Sequence, residues 1–195
     1  MAVKVLGDLN QNKIIGSLLP NSTGVIEFLG KGAVLRLGNG SSLKQVNIRI
    51  EGHATIEIGE DCHIEGQLRC NHSCLIRIDH RTRLLGGSRL HAHEAVSISI
   101  GEDCILHHLR CRTSDSHKIY SQYLPAQRLN VGKSIHIGSR VYAEHGVHIY
   151  KGVTIGNDSY IKSHAVVLKS AGVGSYLSGA PAAIKRSGIF WFKKQ

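Results

Sequence analysis

Two side chains that could move a proton lie close together in the middle of the chain, Asp115 and His117. A neutral imidazole, with a pKa of about 6.5, can take the proton of a hydroxyl as the oxygen attacks an electrophile. A nearby carboxylate can hold one imidazole nitrogen in the tautomer that leaves the other free. We therefore predict His117 as a general base and Asp115 as its partner. The alternatives are an ordinary loop histidine, one of 13 in the chain, and a turn-forming aspartate.

The cysteines do not indicate a metal or disulfide site. The five of them are odd in number and irregularly spaced, which matches neither a disulfide framework nor a paired zinc motif. They are Cys62, Cys70, Cys74, Cys104 and Cys111. We predict reduced, mostly buried thiols that fill small volumes in the core, and no metal site.

An internal repeat predicts the elements that position the proton-moving pair. Four segments share its pattern: Ile56-Glu-Ile-Gly-Glu-Asp-Cys62, Ile98-Ser-Ile-Gly-Glu-Asp-Cys104, Ile135-His-Ile-Gly138 and Val153-Thr-Ile-Gly156. The spacing between the glycines of the first two, and between those of the last two, is a whole multiple of six. Six residues suit one flat strand and a corner, and three such units make one triangular coil of an all-β parallel helix. Glycine is expected at the corners because a positive φ there disfavours a Cβ atom.

The repeat also predicts the domain organisation. We expect a β-helix over residues 1–177, with irregular early coils up to Ile50 and a loop expelled around 106–133, where the pattern is lost. Residues 178–195 leave the pattern and contain Ile189-Phe-Trp-Phe192, which predicts a cap over the last edge strand.

Composition limits the partners. The formal net charge is +10, which favours anionic partners such as a polysaccharide or a phosphorylated cofactor. Nucleic acid is not expected, because the basic residues are dispersed, aromatic residues are only 5% of the chain, and no recognition motif is present. No segment is apolar enough to span a membrane, and no signal-like start is visible, so we predict a cytoplasmic protein.

Several short motifs between Asp115 and Lys185 resemble those of a known family. They are Asp115-Ser-His117-Lys-Ile-Tyr-Ser121, Arg128-Leu-Asn130, Ile135-x-Ile-Gly-x-x-Val141, Gly152-Val-Thr-Ile-Gly156, Ser163-x-Ala-Val-Val167, Lys169 and Gly179-Ala-Pro-Ala182. In this order and spacing they are similar to the hexapeptide-repeat acetyltransferases. Within that family they resemble the bacterial sugar and capsule-polysaccharide O-acetyltransferases, including those that modify polysialic acid.

The resemblance implies a left-handed β-helix, a homotrimer with sites between subunits, acetyl-CoA as co-substrate, and a sugar or polysaccharide acceptor. It implies an oxyanion-binding backbone N–H near Tyr142, whose ring replaces the tryptophan that members commonly carry and would pack on the acceptor or the pantetheine arm. The resemblance further implies that the small residues Ala143, Ser163 and Ala165 let the pantetheine lie close to the backbone. It implies that the cations Lys169, Lys185 and Arg186 contact the CoA phosphates. A turn with Gly179 and Pro181 would approach the adenine.

Three alternatives remain open at this point. The many histidines invite a γ-class carbonic anhydrase, which shares the fold and binds zinc, although no matching histidine spacing is found. A β-helix that binds a polymer without chemistry is the second alternative. The third keeps the acetyltransferase and changes the acceptor to an amino-sugar nitrogen or a small hydroxylated drug.

Overall fold

The computed structural model describes residues 2–192 and shows a parallel β-helix of about eight coils. Within these residues there are 20 strands and no helix. No helix that could cross a membrane is therefore found in this range. The strands lie on three faces, and the three longest strands bend where φ is positive, at Gln45, Gly66 and Gly86, so that each contributes to two faces.

One face, called the seven-stranded face below, is a parallel sheet of its own. Its strands are β2 (Lys13–Ile15), β4 (Val34–Leu37), β6 (Thr55–Ile58), β8 (Leu75–Ile78), β10 (Ser97–Ile100), β13 (Ile135–Ile137) and β16 (Thr154–Ile155).

The other two faces share the bent strands β5 (Ser42–Glu51), β7 (His63–Cys70) and β9 (Arg83–Ala92). The tyrosine face, named for Tyr142, Tyr160 and Tyr176, contains their first parts and β11 (Ile105–His107), β14 (Tyr142–Ala143), β17 (Tyr160–Ile161) and β19 (Tyr176–Gly179). The arginine face, named for Arg69, Arg89, Arg110 and Arg112, contains their second parts and β1 (Val3–Leu6), β3 (Gly24–Leu29), β12 (Arg110–Arg112), β15 (His148–Tyr150) and β18 (Val166–Val167).

A continuous column of aliphatic side chains fills the prism. Alternate residues of each strand point inward, as in Ile56 and Ile58 of β6 or Ile98 and Ile100 of β10, all of them 0 to 2% exposed. Burying each such side chain contributes about 1.5–3 kcal/mol. The five cysteines are unpaired and buried in the same column, as predicted, and burial raises the pKa of Cys104 to about 12.

The predicted six-residue unit is correct only for the later coils. Ile137 pairs with Ile155 in the next coil, which is a step of three hexapeptides. In the early coils Lys13 pairs with Val34 and Val34 with Thr55, and each of these steps is half a hexapeptide longer. The segment between Gly59 and Gly101 is thus two wide coils rather than seven hexapeptides. The longer bent strands take up the difference, and the chain before Ile50 follows this wide repeat in register instead of being irregular.

The reason for the repeated glycines also differs from the prediction. Gly59, Gly101 and Gly138 do not have positive φ; a Cβ on Gly59 would lie 2.7 Å from the backbone nitrogen of His80 in the next coil. Close stacking of coils therefore excludes a side chain at this corner. The left-handed conformation occurs two positions later, at non-glycine residues such as Asp61 and Asp103.

The C-terminal end of the β-helix is covered by β20 (Ala182–Arg186), which pairs antiparallel with β19 after a cis Ala180–Pro181 bond. This strand lies in the region predicted as a cap, and the chain then returns along the prism, where Ile189 donates its N–H to the carbonyl of Gly174 at 2.9 Å. Residues 193–195 of the predicted cap lie outside the described range.

Candidate active site

The site begins where the chain leaves the coil after β12. The strands β11 and β12 keep the coil intact through Arg112, so the expelled segment occupies 113–134 and begins seven residues later than the predicted 106–133. Its two ends meet, because the N–H of Lys133 donates to the carbonyl of Thr113 at 3.0 Å. We call residues 114–132 the excursion.

Asn130 fixes the part of the excursion that contains His117. Its Nδ2 donates to the carbonyl oxygen of His117 at 2.6 Å, and its Oδ1 accepts the N–H of Ile119 at 2.7 Å. The Asn130 residue is 8% exposed, so these bonds are shielded from water. The backbone on both sides of Lys118 is thereby held by one buried amide.

Asp115 is tied to the coil and not to the histidine. Its carboxylate accepts hydrogen bonds from Nζ of Lys151 and, at 3.1 Å, from Nδ2 of Asn130. The Lys151 hydrogen bond lowers the pKa of Asp115, which stays ionised at neutral pH. Among residues 2–192 the imidazole of His117 is not a partner of this carboxylate. The predicted Asp115–His117 pair is therefore not formed in the single chain, and Asp115 anchors the excursion instead.

A second anchor comes from Glu94, at the corner after β9. Its Oε1 accepts hydrogen bonds from Nη2 of Arg128 and Oγ of Ser114, both at 2.6 Å, and its Oε2 accepts the N–H of Gly132 at 2.8 Å. The Arg128 hydrogen bond, followed by that of Ser114, lowers the pKa of Glu94 to about 2. One carboxylate thus fastens both ends of the excursion.

His117 itself is exposed. Its backbone is restrained by the bond from Asn130 and by its own N–H, which donates to the carbonyl of Asp115 at 2.9 Å. A restrained backbone with an exposed imidazole is suited to a base that acts on a large substrate.

Tyr142 lies on the tyrosine face, in a ladder of aromatic rings. Its ring stacks on Tyr160 at 5.0 Å between centroids and meets Trp191 edge-on at 5.2 Å. Nε1 of Trp191 donates to the carbonyl of Arg140 at 2.6 Å. The backbone N–H of Tyr142 donates to the carbonyl of Ser159 at 2.9 Å, so this N–H is not a free oxyanion donor.

Glu144 organises the corner beside this ladder. It accepts hydrogen bonds from the hydroxyl of Tyr160 at 2.5 Å, from Nζ of Lys162 at 2.9 Å, and from the N–H of Ser163 at 3.0 Å as well as its hydroxyl. Burial would raise the pKa of Glu144, but the hydrogen bonds outweigh it and lower the pKa to about 2. The hydroxyl of Ser163, predicted to line a cofactor groove, is therefore already engaged.

Two other predicted groove residues face the core. Ala143 and Ala165 are 0% exposed and belong to the inward column, because alternate residues of a strand point to opposite sides. Their side chains point away from the outer surface, so their small size does not shape an outer groove, and a cofactor there would meet only their backbone atoms. The remaining predicted cofactor residues are exposed near the end of the prism: Lys169, Gly179, Pro181, Lys185 and Arg186.

The predicted residues therefore form two groups in one chain. His117 and Asp115 lie on the excursion, between the arginine face and the seven-stranded face, while Tyr142 and Ser163 lie on or beside the tyrosine face. Between residues 2 and 192, no hydrogen bond, ion pair or ring contact joins the excursion to the tyrosine face.

The histidines of the later coils meet at the corner between the tyrosine and arginine faces. Nδ1 of His108 lies 2.9 Å from Nδ1 of His145, and the ring of His107 lies 5.1 Å from that of His145. In the described part of the chain no group of three or more metal-binding side chains has the geometry to hold an ion.

The comparisons with known proteins agree with this architecture. Residues 134–169 match the family model for bacterial transferase hexapeptide (six repeats). A polysialic acid O-acetyltransferase of Neisseria meningitidis is 33% identical over 146 residues, which cover 73% of this chain and 66% of the relative, just under two thirds of its length.

Two solved structures extend the likeness over the whole chain. The polysialic acid O-acetyltransferase OatWY is 28% identical with a TM-score of 0.78, covering 100% of this chain and 92% of that one. The polySia-specific acetyltransferase NeuO has a TM-score of 0.89 and covers 99% of this chain and 83% of that one; at 24% identity it shows the shared fold alone. The chain belongs to the hexapeptide-repeat acetyltransferases, a family of enzymes with acetyl-CoA as co-substrate, which confirms the resemblance found in its sequence.

Sequence reasoning missed most of the residues that hold the site. Arg128 and Asn130 stood in a recognised motif, and their structural roles follow only from the folded excursion. Glu94 and Lys151 gave no signal, because each meets the excursion from a coil distant in sequence. Trp191, the single tryptophan, was assigned to the cap and not to Tyr142.

Proposed function

We propose that this chain transfers the acetyl group of acetyl-CoA to a hydroxyl of an anionic surface polysaccharide, with His117 as the general base. The observation that carries the proposal is the exposed histidine, fixed by Asn130 on an excursion from a hexapeptide coil. Family membership supports the donor, and the similarity to polysialic acid O-acetyltransferase supports a sialic acid polymer as the acceptor.

One general base is enough for the proposed transfer, because the proton taken from the hydroxyl is returned to the leaving thiolate. A ring nitrogen of His117 takes the hydroxyl proton while the oxygen attacks the thioester carbonyl. The tetrahedral intermediate collapses by breaking the carbon–sulfur bond, and the imidazolium returns its proton to the CoA thiolate. In this scheme Asp115 positions the excursion through Lys151 and does not touch the substrate.

We further propose a homotrimer in which the catalytic site lies between subunits. The support is the separation, within one chain, of His117 from the aromatic ladder around Tyr142, because a neighbouring subunit could bring the two together. Exposed Lys169, Lys185 and Arg186 then remain candidates for the CoA phosphates. Sedimentation equilibrium tests this assembly; a monomer at working concentration would contradict it.

We also propose that the protein acts in the cytoplasm. Five unpaired cysteines fit a reducing compartment, and the proposed donor is a cytoplasmic metabolite. Fractionation of cells that express the tagged chain tests this assignment; recovery in the periplasm would contradict it.

The function is tested by adding purified protein to acetyl-CoA and a panel of polysaccharides and following the free thiol of CoA. Polysialic acid should give acceptor-dependent thiol release, and neutral dextran should not. The product acetyl group should be removed by mild base, since an ester is labile and an amide is not. A base-stable product would move the acceptor to an amino sugar, and no release with any acceptor would favour a polymer-binding protein without chemistry.

A further inference from the structure

The positive charge of the molecule is distributed unevenly among its faces. Six of the 12 arginines have a carboxylate within 4.0 Å: Arg36, Arg49, Arg77, Arg81, Arg128 and Arg140. Arg83 on the tyrosine face and Arg186 on β20 have none among residues 2–192. Four others, all on the arginine face, have no carboxylate at this distance among residues 2–192. They are Arg69, Arg89, Arg110 and Arg112.

The strand register places these four cations in two adjacent columns. Arg89 pairs with Arg110, which pairs with His148, while Arg69 pairs with His91, which pairs with Arg112. All four arginines are exposed on the outer side of β7, β9 and β12. Because parallel strands lie about 4.8 Å apart, the patch spans at least about 10 Å along the prism axis.

The pKa values of His91 and His148, which lie beside these arginines in the two columns, are lowered. Burial lowers the pKa of His91, and the neighbouring His93, Arg69 and Arg112 lower it further. Burial also lowers the pKa of His148, with a further contribution from Arg110. Burial is the largest cause of both shifts, the neighbouring cations add to it, and the carboxylate of Glu51 opposes it at His91.

The patch ends at the excursion. Arg112, the last residue of β12, donates from Nη2 to Oγ of Ser116 at 2.7 Å. A cavity of about 230 Å³ lies beside it, and its lining includes Arg69, His91, His93 and Ser116 together with one carboxylate, that of Glu51. Nδ1 of His93 is buried, makes no hydrogen bond in the described range, and lies 3.8 Å from Oε1 of Glu94. An anion held in this cavity would lie next to the segment that contains His117.

We propose that the arginine face binds the carboxylates of an anionic polysaccharide and leads the polymer to the excursion. The proposal rests on the proposed function, since it names the surface that holds the acceptor. Guanidinium groups match carboxylates in geometry and attract them over several ångströms. Tyr150 of β15, which pairs with Arg112, is the one aromatic side chain next to the patch on β7, β9, β12 and β15, whereas single-stranded nucleic acid is usually held by a series of stacked rings.

The test compares two double variants that remove the same charge. Arg89→Gln with Arg110→Gln removes two unpaired cations, and Arg36→Gln with Arg77→Gln removes two that share Glu57 on the seven-stranded face. Binding of polysialic acid chains, followed by fluorescence anisotropy at low and moderate salt, should weaken at least about tenfold for the first variant and less than about twofold for the second. Equal affinities of the two variants would overturn the proposal.

Further outcomes separate this proposal from the proposed function. Polymer binding that depends on Arg89 and Arg110, without any acetyl transfer, would support the surface while refuting the activity. Acetyl transfer with a KM for polymer unchanged in the Arg89/Arg110 variant would refute the surface and leave the activity. Tighter binding of single-stranded DNA than of polysialic acid would also overturn the proposed polymer-binding surface. A changed oligomeric state in the Arg89/Arg110 variant alone would overturn it as well, because the arginine face would then be a subunit interface.

Discussion

The coils and the excursion are stabilised by different kinds of interaction, apolar packing in the coils and polar contacts in the excursion. The coils depend on a dry column of aliphatic side chains and on backbone stacking so close that a Cβ at Gly59 or Gly101 would overlap the next coil. The excursion has exposed apolar side chains at its tip, including Tyr123 at 85% and Leu124 at 61%, and depends on a few polar residues. Stability should therefore reside in the coils and activity in the excursion.

The polar residues of the excursion act at long range in the sequence. Glu94 reaches Arg128 and Gly132 from the preceding coil, and Lys151 reaches Asp115 from the following one. A charged group that is hydrogen-bonded in a shielded position gives about 1.5–3 kcal/mol per bond. A loop with almost no apolar core is thus held in one conformation by the side chains of Glu94, Lys151 and Asn130, which suits the proposed base because it must be exposed to the substrate.

Removing the excursion should give the largest effect. Because the carbonyl of Thr113 already accepts the N–H of Lys133, two glycines in place of residues 114–132 would close a four-residue β-turn at this position. We expect acetyl transfer to fall to background, while the melting temperature changes by less than about 5 °C, as measured by circular dichroism. Unfolding of this variant would contradict the division between coils and excursion.

Gly59→Ala should affect the coils alone. The added Cβ would lie 2.7 Å from the nitrogen of His80 and 2.9 Å from the carbonyl carbon of Asp79, so the backbone must shift. We expect a loss of about 1–3 kcal/mol in unfolding free energy and normal turnover per folded molecule. Gly172→Ala is the matched control, because a Cβ there meets nothing within 4 Å. Similar melting temperatures for both variants would refute the stacking explanation.

Asn130→Ala should affect the excursion alone. It removes the bonds to the carbonyl of His117 and the N–H of Ile119, so the base is presented in several orientations. We expect kcat to fall about tenfold, equivalent to about 1.4 kcal/mol, with an unchanged KM for acetyl-CoA and an unchanged melting temperature. The exposed Asn47→Ala serves as the control, and an equal loss in both variants would exclude a positioning role for Asn130.

The pH dependence should give the smallest effect. The pKa of Glu94 is lowered to about 2 in the folded protein. Its stabilisation of the excursion is therefore fully present above the unfolded pKa of about 4.3 and is lost progressively as the pH falls from there towards about 2. Amide protection factors in the excursion should be constant from pH 8 to about 5 and decrease below about pH 4.5, whereas those of the coils should not. Glu94→Gln should show low protection at all these pH values; normal protection would refute this anchor.

The sequence was most informative where the chain repeats. The Ile-x-Ile-Gly segments predicted the parallel coils, the buried cysteines and the interruption that contains His117. The width of the early coils was missed, because the interval from Gly59 to Gly101 fits two wide coils as well as it fits a whole number of hexapeptides. The stacking role of Gly59 could not be separated from a positive-φ role, since both require glycine.

The site was less predictable because its contacts join distant coils. Nothing near Asp115 in the sequence indicates Lys151, which takes the carboxylate that was expected to face His117. The inward direction of Ala143 and Ala165 depends on strand register, which the motifs alone do not determine. His117 was predicted as the base from its surrounding motif, and its restraint by Asn130 adds a physical reason for that proposal.

The central claim is tested most directly by the turnover of His117→Ala with acetyl-CoA and polysialic acid. If His117 is the general base, kcat should fall by about 10²- to 10⁴-fold, while the dissociation constant of acetyl-CoA, the melting temperature and the oligomeric state remain those of the unmodified protein. Turnover within about twofold of the unmodified protein would contradict the assignment of His117 and, with it, the catalytic role of the excursion.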